Sequence, residues 1–204
     1  MESIALIDYG AGNLRSVANA LRAAGATGVI VTADPDVVAR ADRIVLPGVG
    51  AFKHCIDSLR AIDGLIEAMD WRVRGHGAPF LGICVGMQLL ADAGEEHGLH
   101  AGLGWIGGTV RSFTASRELR IPHMGWNDVI PSRYHPLIQH GEAYFLHSYA
   151  MHDCPGDALI ATSQHGAPFT AAVARANIAG VQFHPEKSQA YGIAMLGRFL
   201  AWRP

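Results

Sequence analysis

A cysteine between two glycines has the sequence context of a nucleophile. Cys84 lies in the segment Gly82-Ile83-Cys84-Val85-Gly86, between a predicted buried strand and a predicted helix. This is the G-x-S-x-G pattern of a sharp strand-to-helix turn, with cysteine in place of serine. Glycines there allow neighbouring backbone to approach closely, and the start of the helix favours the reactive thiolate. The alternative interpretation is a buried, unreactive cysteine at the end of a core strand.

Among the eleven histidines, His184 is the best candidate for the base that such a thiol requires. It follows the apolar segment Gly180-Val181-Gln182-Phe183, a predicted strand, and the carboxyl ends of parallel strands meet at one edge of a sheet, where Cys84 is also expected. Pro185 favours an extended backbone at His184, in which residues two apart point the same way, so Glu186 can orient the imidazole. A surface turn without chemistry is the alternative. Together, Cys84, His184 and Glu186 predict a catalytic triad.

Backbone amides at two places can stabilise negative charge that develops on a carbonyl oxygen. The loop Pro47-Gly48-Val49-Gly50 follows another predicted buried strand, and its glycines can turn the amides of Val49 and Gly50 toward the same edge of the sheet. The amide of Val85, directly after the cysteine, is a further candidate. An ordinary Pro-Gly turn is the alternative interpretation of this loop.

The elements that must position these groups alternate in type along the first half of the chain. Strands are predicted at residues 3–8, 28–32, 43–46 and 79–83, and helices at 14–24, 51–59, 62–74 and 85–93. This alternation predicts a parallel sheet covered by helices. The second half contains strand-like segments at 110–121, 144–149, 158–163, 169–175 and 178–182, and ends in a helix at 189–201. We expect one α/β domain over residues 1–204, with a doubly wound, mostly parallel sheet, helices on both faces and an antiparallel strand extension.

Composition limits the classes of function. The chain has 204 residues, half of them hydrophobic, and a formal net charge of −2 with no basic tract, so neither disorder nor nucleic-acid binding is expected. No apolar run approaches the roughly 20 residues of a membrane span, and the N-terminus lacks signal-peptide features, so we expect no membrane association and a cytoplasmic location. Cys55, Cys84 and Cys154 form no CxxC pair, which argues against a zinc site or a disulfide framework.

The glycine loop near the N-terminus does not complete a nucleotide-binding motif. Gly10-Ala11-Gly12 has the spacing of the first two glycines of GxGxxG, but Arg15 occupies the position of the third. No phosphate-loop lysine pattern is present either. We therefore expect no cofactor and no metal ion.

Motifs from the first strand to the last helix carry a resemblance to a known family. They are Asp8-Tyr9-Gly10-Ala11-Gly12-Asn13-Leu14, Leu46-Pro47-Gly48-Val49-Gly50-Ala51-Phe52, Gly82-Ile83-Cys84-Val85-Gly86-Met87-Gln88-Leu89, Pro122-His123-Met124-Gly125-Trp126-Asn127, His147-Ser148-Tyr149 and Phe183-His184-Pro185-Glu186-Lys187-Ser188. In these motifs the chain resembles the class I, triad-type glutamine amidotransferases, which have a flavodoxin-like fold. Within that family it is most similar to the glutaminase subunits that serve histidine biosynthesis. The resemblance implies that Cys84 forms a glutamyl thioester, that His184 transfers protons and that Glu186 orients His184.

Glutamine is the substrate that the resemblance implies. Gly50, Gln88, Ser148 and Tyr149 match positions that hold glutamine in the family, largely through backbone groups. Ser148 stands where some members carry threonine, which changes little.

The resemblance also implies a partner, a separate cyclase subunit that receives the ammonia. That subunit is a (β/α)₈ barrel, a fold that needs about 250 residues and therefore cannot be part of this chain. Asn13, Trp126 and Lys187 resemble interface positions, although a turn cap, a partly buried aromatic and a solvated lysine are the alternatives. We hypothesise that the partner, with its nucleotide bound, turns the Val49 amide into the oxyanion hole.

Three other functions remain open from the sequence. The chain can serve a different ammonia-dependent synthase, or it can be an inactive binding module of the same fold, although such modules usually lack a triad member. A cysteine peptidase or deglycase on a flavodoxin-like scaffold is less compatible, because those sites commonly have a histidine directly after the cysteine and Val85 occupies that position here.

Overall fold

The computed structural model describes residues 2–114 and 119–204. Its helices are α1 (Leu14–Ala23), α2 (Pro35–Arg40), α3 (Phe52–Arg60), α4 (Leu65–Asp70), α5 (Val85–Gln88) and α6 (Gln189–Ala201), with a π-helical turn at Trp71–Gly75 and a 3₁₀ turn at Pro185–Lys187. Its strands are β1 (Ser3–Ile7), β2 (Gly28–Thr32), β3 (Arg43–Gly48), β4 (Phe80–Cys84), β5 (Ala93–Gly94), β6 (His100–Ala101), β7 (Thr109–Ser112), β8 (His123–Pro131), β9 (Gly141–His147), β10 (Tyr149–His152), β11 (Leu159–His165), β12 (Ala167–Arg175) and β13 (Ile178–Val181).

A large mixed sheet organises these elements, with the strand order β2-β1-β3-β4-β13-β12-β11-β8-β9. Strands β2, β1, β3, β4 and β13 pair in parallel, and β12, β11, β8 and β9 continue the sheet in antiparallel pairs. Helix α1 packs against α6, and α2 packs against α4. The predicted fold class, a doubly wound α/β sheet with an antiparallel extension, is confirmed.

The two central parallel strands are buried along their whole length. Every residue of β3 and of β4 is buried, which explains why residues 44–46 of β3 and the whole of β4 show no alternation of apolar and polar residues. Residues of β3 pair with β4 from Ile44 opposite Phe80 to Gly48 opposite Cys84. The core therefore extends to the last residue of β4, which is the cysteine itself.

The last helix agrees with its predicted bounds and is fixed at both ends. Its buried residues Gly192, Met195, Leu196 and Phe199 recur at intervals of three and one residues, which is the pattern of one apolar helix face. At its C-terminal end the buried Arg43 guanidinium donates to the carbonyls of Phe199 and Trp202, at 2.9 Å each, and satisfies groups that the helix leaves unpaired. This helix has 13 residues, and no helix in the described part of the chain is long and apolar enough to cross a membrane.

The predicted helix at 85–93 is wrong in its length. Helix α5 ends at Gln88, although the apolar residues continue to Ala91. The carbonyls of Leu89, Leu90 and Ala91 accept hydrogen bonds from the amides of residues 103, 106 and 104, respectively. The loop at 103–106 thus supplies the donors that the next turn of a longer helix would have supplied. Residues 93–94 then form β5 in a small second sheet of order β10-β7-β5-β6, which the sequence did not predict.

Other element bounds differ from the prediction in informative places. Helix α2 and strand β8 were not predicted, and the helix expected at 62–74 begins only at Leu65 and ends in the π-helical turn. The strand expected at 110–121 corresponds to β7 (Thr109–Ser112), which ends nine residues earlier than expected, and residues 115–118 lie outside the described residues. The strand expected at 144–149 is divided at Ser148 into β9, in the large sheet, and β10, in the small one.

Candidate active site

Cys84 occupies a strained turn between β4 and α5. Its φ of 54° and ψ of −111° lie in a region that residues with a side chain rarely adopt, and such strain is typical of functional turns. A Cβ at Gly82 would lie 2.5 Å from the Gly86 carbonyl oxygen, and a Cβ at Gly86 would lie 1.9 Å from the oxygen of Leu46. Both flanking positions therefore require glycine, as the motif predicted. The cysteine is 3% exposed, so it faces an enclosed space.

Sheet pairing brings two other segments of the chain to this turn. Gly48 lies opposite Cys84 in the β3–β4 pair, so the 49–50 loop begins beside the nucleophile. Strand β13 pairs with β4 on the other side, with Val181 opposite Ile83. The chain that leaves β13 reaches His184 three residues later, at the same edge of the sheet.

His184 and Glu186 form the expected pair. The imidazole Nδ1 lies 2.8 Å from Oε1 of Glu186, and both side chains are almost completely buried, at 3% and 1% exposure. His184 is extended, with φ −99° and ψ 97°, as Pro185 predicts. Glu186, however, reaches the imidazole through the 3₁₀ turn rather than along an extended strand, so the reason given for the pairing was incomplete.

Ser188 holds the backbone of His184 in place. Its hydroxyl donates to the His184 carbonyl at 2.7 Å and accepts from the Tyr144 amide at 2.9 Å, while the His184 amide donates to the Tyr144 carbonyl at 2.9 Å. Gly192 lets helix α6 pack on this turn, because a Cβ there would lie 1.9 Å from the Pro185 carbonyl oxygen. The turn is thus fixed from the sheet and from the last helix.

Opposing effects act on the pKa of His184. Burial alone lowers it, but hydrogen bonds to the Cys84 sulfur and to Glu186, together with the negative charge that both groups can carry, raise it to about 10. The raised pKa favours an imidazolium at His184, whose positive charge and a negative charge on Cys84 stabilise each other. A cation beside a thiol favours the thiolate, which is the nucleophilic form.

A cavity of about 300 Å³ opens over the sulfur. The Cys84 Sγ lies 4.0 Å from the Leu146 carbonyl oxygen, and the cavity wall brings together residues of the cysteine turn, the 49–50 loop, the β9–β10 junction and the histidine turn. The lining residues are Val49, Gly50, Cys84, Val85, Gln88, Glu96, Pro122, Leu146, His147, Ser148, Tyr149, His184 and Lys187. All predicted triad, oxyanion and substrate positions except Glu186, which lies behind His184, are among them.

Gln88 and Ser148 present different groups to this cavity. The Gln88 side-chain nitrogen donates to the Tyr149 carbonyl at 2.9 Å and to Gln182 Oε1 at 3.0 Å, so only its oxygen remains for a ligand. Ser148 interrupts the strands, and within the described residues its backbone amide donates to no other backbone group, while its carbonyl accepts from the Phe113 amide at 3.1 Å. A free amide at this junction suits an anionic or carbonyl oxygen.

Two side-chain hydrogen bonds fix backbone carbonyls of the predicted oxyanion loop. The Tyr9 hydroxyl donates to the Pro47 carbonyl at 2.8 Å, and the Cys55 thiol donates to the Val49 carbonyl at 3.3 Å. The rest of the loop is less constrained: Val49 is 40% exposed, and Gly50 has a φ of +92° with open space where a Cβ would stand. Val85 is the first residue of α5, where a helix leaves amide groups without intrahelical partners. Because α5 is a single turn, these local amides matter more here than a long-helix dipole.

The sequence did not identify three side chains of this region. Glu96 lines the cavity, and its Oε2 accepts from the Phe52 amide at 2.7 Å. Gln182 lies 3.6 Å from the cysteine sulfur, and Ser188 braces the histidine turn. Ser188 and Gln182 belong to the motif around His184, but Glu96 lies in a loop with no local signal.

The predicted interface residues lie outside the cavity or at its mouth. Trp126 is 47% exposed and contacts Tyr144 edge to face, with ring centroids 6.2 Å apart. The Lys187 ammonium lies 5.8 Å from the centre of the Tyr144 ring and also lines the cavity. Asn13 is exposed and precedes α1, which packs against the 3₁₀ turn, but its side chain does not cap that helix.

Comparison with protein families and curated relatives gives a consistent result. The model of the family "Glutamine amidotransferase class-I" matches residues 5–201. A protein of Zymomonas mobilis named "Imidazole glycerol phosphate synthase subunit HisH" is 57% identical, with 99% of this chain and 97% of the relative aligned. The protein of the same name from Caulobacter vibrioides is 53% identical over the full length of both chains.

Solved structures with the same fold are more distant in sequence. A protein from Thermoplasma acidophilum, described as part of a GMP synthase, superposes with a TM-score of 0.73 at 21% identity, covering 98% of this chain and 93% of that one. The structure of PurLQS from Thermotoga maritima gives a TM-score of 0.70 at 17% identity, covering 98% and 97%. At this level of identity the likeness concerns the fold alone.

Proposed function

The chain belongs to the class-I glutamine amidotransferase family, and from that membership we propose that it is the glutaminase subunit of an imidazole glycerol phosphate synthase. It hydrolyses glutamine to glutamate and ammonia, and passes the ammonia to a separate cyclase subunit in histidine biosynthesis. The observation that carries the proposal is that Cys84 and His184 line one cavity, with the buried hydrogen bond from His184 to Glu186 behind them. Its compartment is then the cytoplasm, where histidine is made.

The reaction follows from the charges on Cys84, His184 and Glu186. The Cys84 thiolate attacks the side-chain carbonyl carbon of glutamine, and protonated His184 gives its proton to the amide nitrogen, so the carbon–nitrogen bond breaks and ammonia leaves. Neutral His184 then takes a proton from water, whose oxygen attacks the thioester. The carbon–sulfur bond breaks, glutamate leaves, and the imidazolium–thiolate pair is restored. Glu186 accepts from His184 Nδ1 throughout and stabilises the imidazolium.

Backbone amides stabilise the oxyanion in both halves of the reaction. The Val85 amide lies directly after the nucleophile, and the Val49 and Gly50 amides begin beside it because Gly48 pairs with Cys84. The exposed 49–50 segment has open space around Gly50, whereas Pro47 and the Val49 carbonyl are held by Tyr9 and Cys55. A partner that covers this loop can therefore complete the oxyanion hole by turning the Val49 amide.

Three groups of the cavity suit the amino-acid end of glutamine. The free Oε1 of Gln88 and the carboxylate of Glu96 are acceptors for its ammonium group. The Ser148 amide is a donor for its carboxylate, and Tyr149 contributes the carbonyl that orients Gln88. Ionic and hydrogen-bonding groups thus hold one end of the substrate while the other end faces the sulfur.

The cyclase partner covers the surface beside the cavity mouth. We assign to it the face formed by the exposed Met124 and Trp126 and the half-buried Tyr144 and Leu146. Met124 pairs with Leu146 and Trp126 with Tyr144 across β8 and β9. Lys187 extends this face to the cavity, and Asn13 contributes from the start of α1. A (β/α)₈ barrel of complementary shape would both collect the ammonia and exclude water from the site.

Ammonia release from glutamine tests the proposal. The purified chain is incubated with glutamine alone, with glutamine plus the cyclase subunit, and with both of these plus the nucleotide substrate of the cyclase. Release that depends on glutamine and rises with the loaded partner supports the proposed function. Absence of release under all three conditions contradicts it, and activation by the ammonia-accepting subunit of another synthase instead would identify a different partner.

A further inference from the structure

Gln182 is completely buried and lies against the nucleophile. It follows β13 and precedes His184 by two residues, and its Nε2 lies 3.6 Å from the Cys84 sulfur. A buried amide group needs hydrogen-bond partners for both its oxygen and its nitrogen, because a missing partner costs about 1–3 kcal/mol. The identity of those partners decides whether Gln182 presents a donor or an acceptor to the sulfur.

The Tyr149 carbonyl decides this question for Gln182. A carbonyl only accepts hydrogen bonds, so the Gln88 group 2.9 Å from it must be the NH₂ group. The same NH₂ group lies 3.0 Å from Gln182, which must therefore present its oxygen. The remaining group of Gln182 is its NH₂, and it points at Cys84 Sγ. The amide of Gln182 is thus a donor to the sulfur.

The same carbonyl fixes a second series of hydrogen bonds that runs outward. His147 Nδ1 lies 2.9 Å from the Tyr149 oxygen and must carry a proton, so its Nε2 is an acceptor for His123 Nδ1 at 3.1 Å. His123 Nε2 then accepts from Asn127 Nδ2 at 3.0 Å, whose other hydrogen goes to the Gln164 carbonyl at 2.8 Å. Every donor in this series meets an acceptor only when both imidazoles are neutral.

The surroundings of the two imidazoles favour that neutral form. Burial is the main cause that lowers the pKa of His147 to about 3 and of His123 to about 4. His165 stacks on His123 with ring centroids 4.3 Å apart, and its charge would lower both pKa values further. In the described residues no group of three or more His, Cys, Asp or Glu side chains is arranged to hold a metal ion, so the hydrogen bonds themselves account for this cluster.

We propose that Gln182 is a further residue of the reaction centre, whose side-chain amide donates to the Cys84 sulfur and holds the thiolate in position for attack. The Tyr149 carbonyl fixes the direction of that donation through Gln88, so Gln88 acts as a positioning residue. The inference rests on the proposed nucleophilic role of Cys84. No proton is transferred by Gln182, which releases the sulfur when the thioester forms and binds it again when glutamate leaves.

The arrangement assigns complementary tasks to two neighbours of the sulfur. His184 supplies the positive charge and moves protons, whereas Gln182 supplies a neutral donor that keeps its hydrogen. A hydrogen bond to a charged acceptor is shorter and stronger than one to a neutral acceptor, so this donor favours the thiolate over the thiol. Loss of the donor should therefore raise the pH at which Cys84 becomes reactive.

The pH dependence of Cys84 alkylation tests the inference. Full-length wild-type chain, Gln182→Met and Gln182→Glu are treated with iodoacetamide over a range of pH, and the modified Cys84 peptide is quantified by mass spectrometry. Methionine keeps the size of the side chain without a donor, and glutamate keeps its shape but presents an acceptor. We expect the midpoint of the pH profile to rise by about one unit in Gln182→Met, and by more in Gln182→Glu.

A matched control and a second measurement keep the test decisive. The exposed Gln139→Ala should keep the wild-type midpoint, and circular dichroism checks that the variants fold. In the wild type, the side-chain amide signals of Gln182 in ¹⁵N NMR should shift with the same midpoint as alkylation. An unchanged midpoint in folded Gln182→Met, or amide signals that do not move through the titration, would overturn the proposal.

This experiment separates the inference from the proposed function. Alkylation needs no glutamine and no partner, so a raised midpoint in a chain that never hydrolyses glutamine would leave the role of Gln182 intact. Conversely, glutamine hydrolysis with an unchanged midpoint would refute the role of Gln182 and support the glutaminase.

Discussion

In the proposed mechanism Glu186 acts on the substrate only through His184, and its environment is consistent with that role. Its Oε1 binds His184 at 2.8 Å, and its Oε2 is buried without a hydrogen-bond partner among the described residues. A carboxylate with one unpaired oxygen in a buried site is costly unless a positive charge lies nearby. The protonated His184 supplies that charge. The carboxylate and the imidazolium therefore stabilise each other's charged forms.

Substitution of Glu186 by glutamine should reduce turnover while the fold is retained. Glutamine keeps the shape of the side chain but removes the negative charge that helps to raise the pKa of His184 to about 10. We expect kcat for glutamine hydrolysis to fall at least about 100-fold, the usual scale for a lost acid–base group, with little change in KM. The exposed Glu67→Gln serves as the control, and equal kcat values in the two variants would remove Glu186 from the mechanism.

Buried histidines predict how stability depends on pH. The folded pKa values of His123 and His147 lie below 6.5, so the unfolded chain binds more protons and stability falls as the pH drops below 6.5 toward about 4. The free energy of unfolding should therefore fall as the pH drops below 6.5.

Urea unfolding at several pH values checks this expectation. Each shifted histidine changes the free energy of unfolding by at most about 1.4 kcal/mol per pH unit. The exposed His54→Gln variant should show the same profile as the wild type. A free energy that stays constant from pH 7 to pH 5 would contradict the neutral state of His123 and His147.

At the scale of elements, the turn between β4 and α5 places the strictest demand on sequence. Gly86 is required because helix α5 crosses β3 so closely that a Cβ would contact the Leu46 carbonyl oxygen at 1.9 Å. The backbone on both sides belongs to the buried core, so neither can move away cheaply. The geometry of the Cys84 turn therefore depends on a glycine that does not line the cavity.

Gly86→Ala should destabilise the chain by about 3 kcal/mol or more, because the added methyl group meets backbone rather than a flexible side chain. Gly75→Ala is the matched control, since a Cβ at Gly75 meets nothing within 4 Å. The two variants can be compared by urea unfolding. If Gly86→Ala were as stable as Gly75→Ala, the close packing of the turn against β3 would be wrong.

The elements show how far local sequence signals reach. Strand β4 and helix α6 were predicted closely because uninterrupted apolar residues and a periodic apolar face are local features. The end of α5 was not, because the groups that terminate it come from residues 103–106. Ser148 likewise divides two strands that belong to different sheets, a distinction that depends on the partners of each strand.

The same argument separates the site residues that could be predicted from those that could not. The cysteine turn and the histidine motif each have a compact pattern, and their meeting follows from strand ends at one sheet edge. The contact of Gln182 with Cys84 joins residues 98 positions apart, and Glu96 enters the cavity from an irregular loop. No periodicity or motif marks such contacts, because they arise only from tertiary packing.

At the scale of the whole molecule, the antiparallel end of the sheet carries the surface that we propose for the partner. Strand β9 is an edge strand of the large sheet. The exposed side chains of Met124 and Trp126 on β8 lie beside Leu146 and Tyr144 on β9. Met124 is 65% exposed, an unusual fraction for a large apolar side chain on a regular strand. This face lies next to the mouth of the cavity through Leu146 and Lys187.

Trp126→Ala should weaken binding to the cyclase subunit without unfolding the chain. A tryptophan at the centre of an interface commonly contributes about 2 kcal/mol or more, so the Kd should rise at least about 30-fold. Tyr134→Ala removes an aromatic ring that is 92% exposed elsewhere on the surface and should leave the Kd unchanged. Isothermal titration calorimetry measures both, and equal affinities of the two variants would move the interface away from the β8–β9 face.

The covalent intermediate offers the most direct test of the central claim, that Cys84 carries the acyl group of glutamine during turnover. The chain is combined with its nucleotide-loaded cyclase partner, mixed with glutamine, quenched in acid within the first turnovers and analysed by peptide mass spectrometry. We predict a glutamyl group on the peptide that contains Cys84, and its absence in Cys84→Ala. Ammonia release without any glutamyl adduct on Cys84, or equal release by Cys84→Ala, would contradict the account.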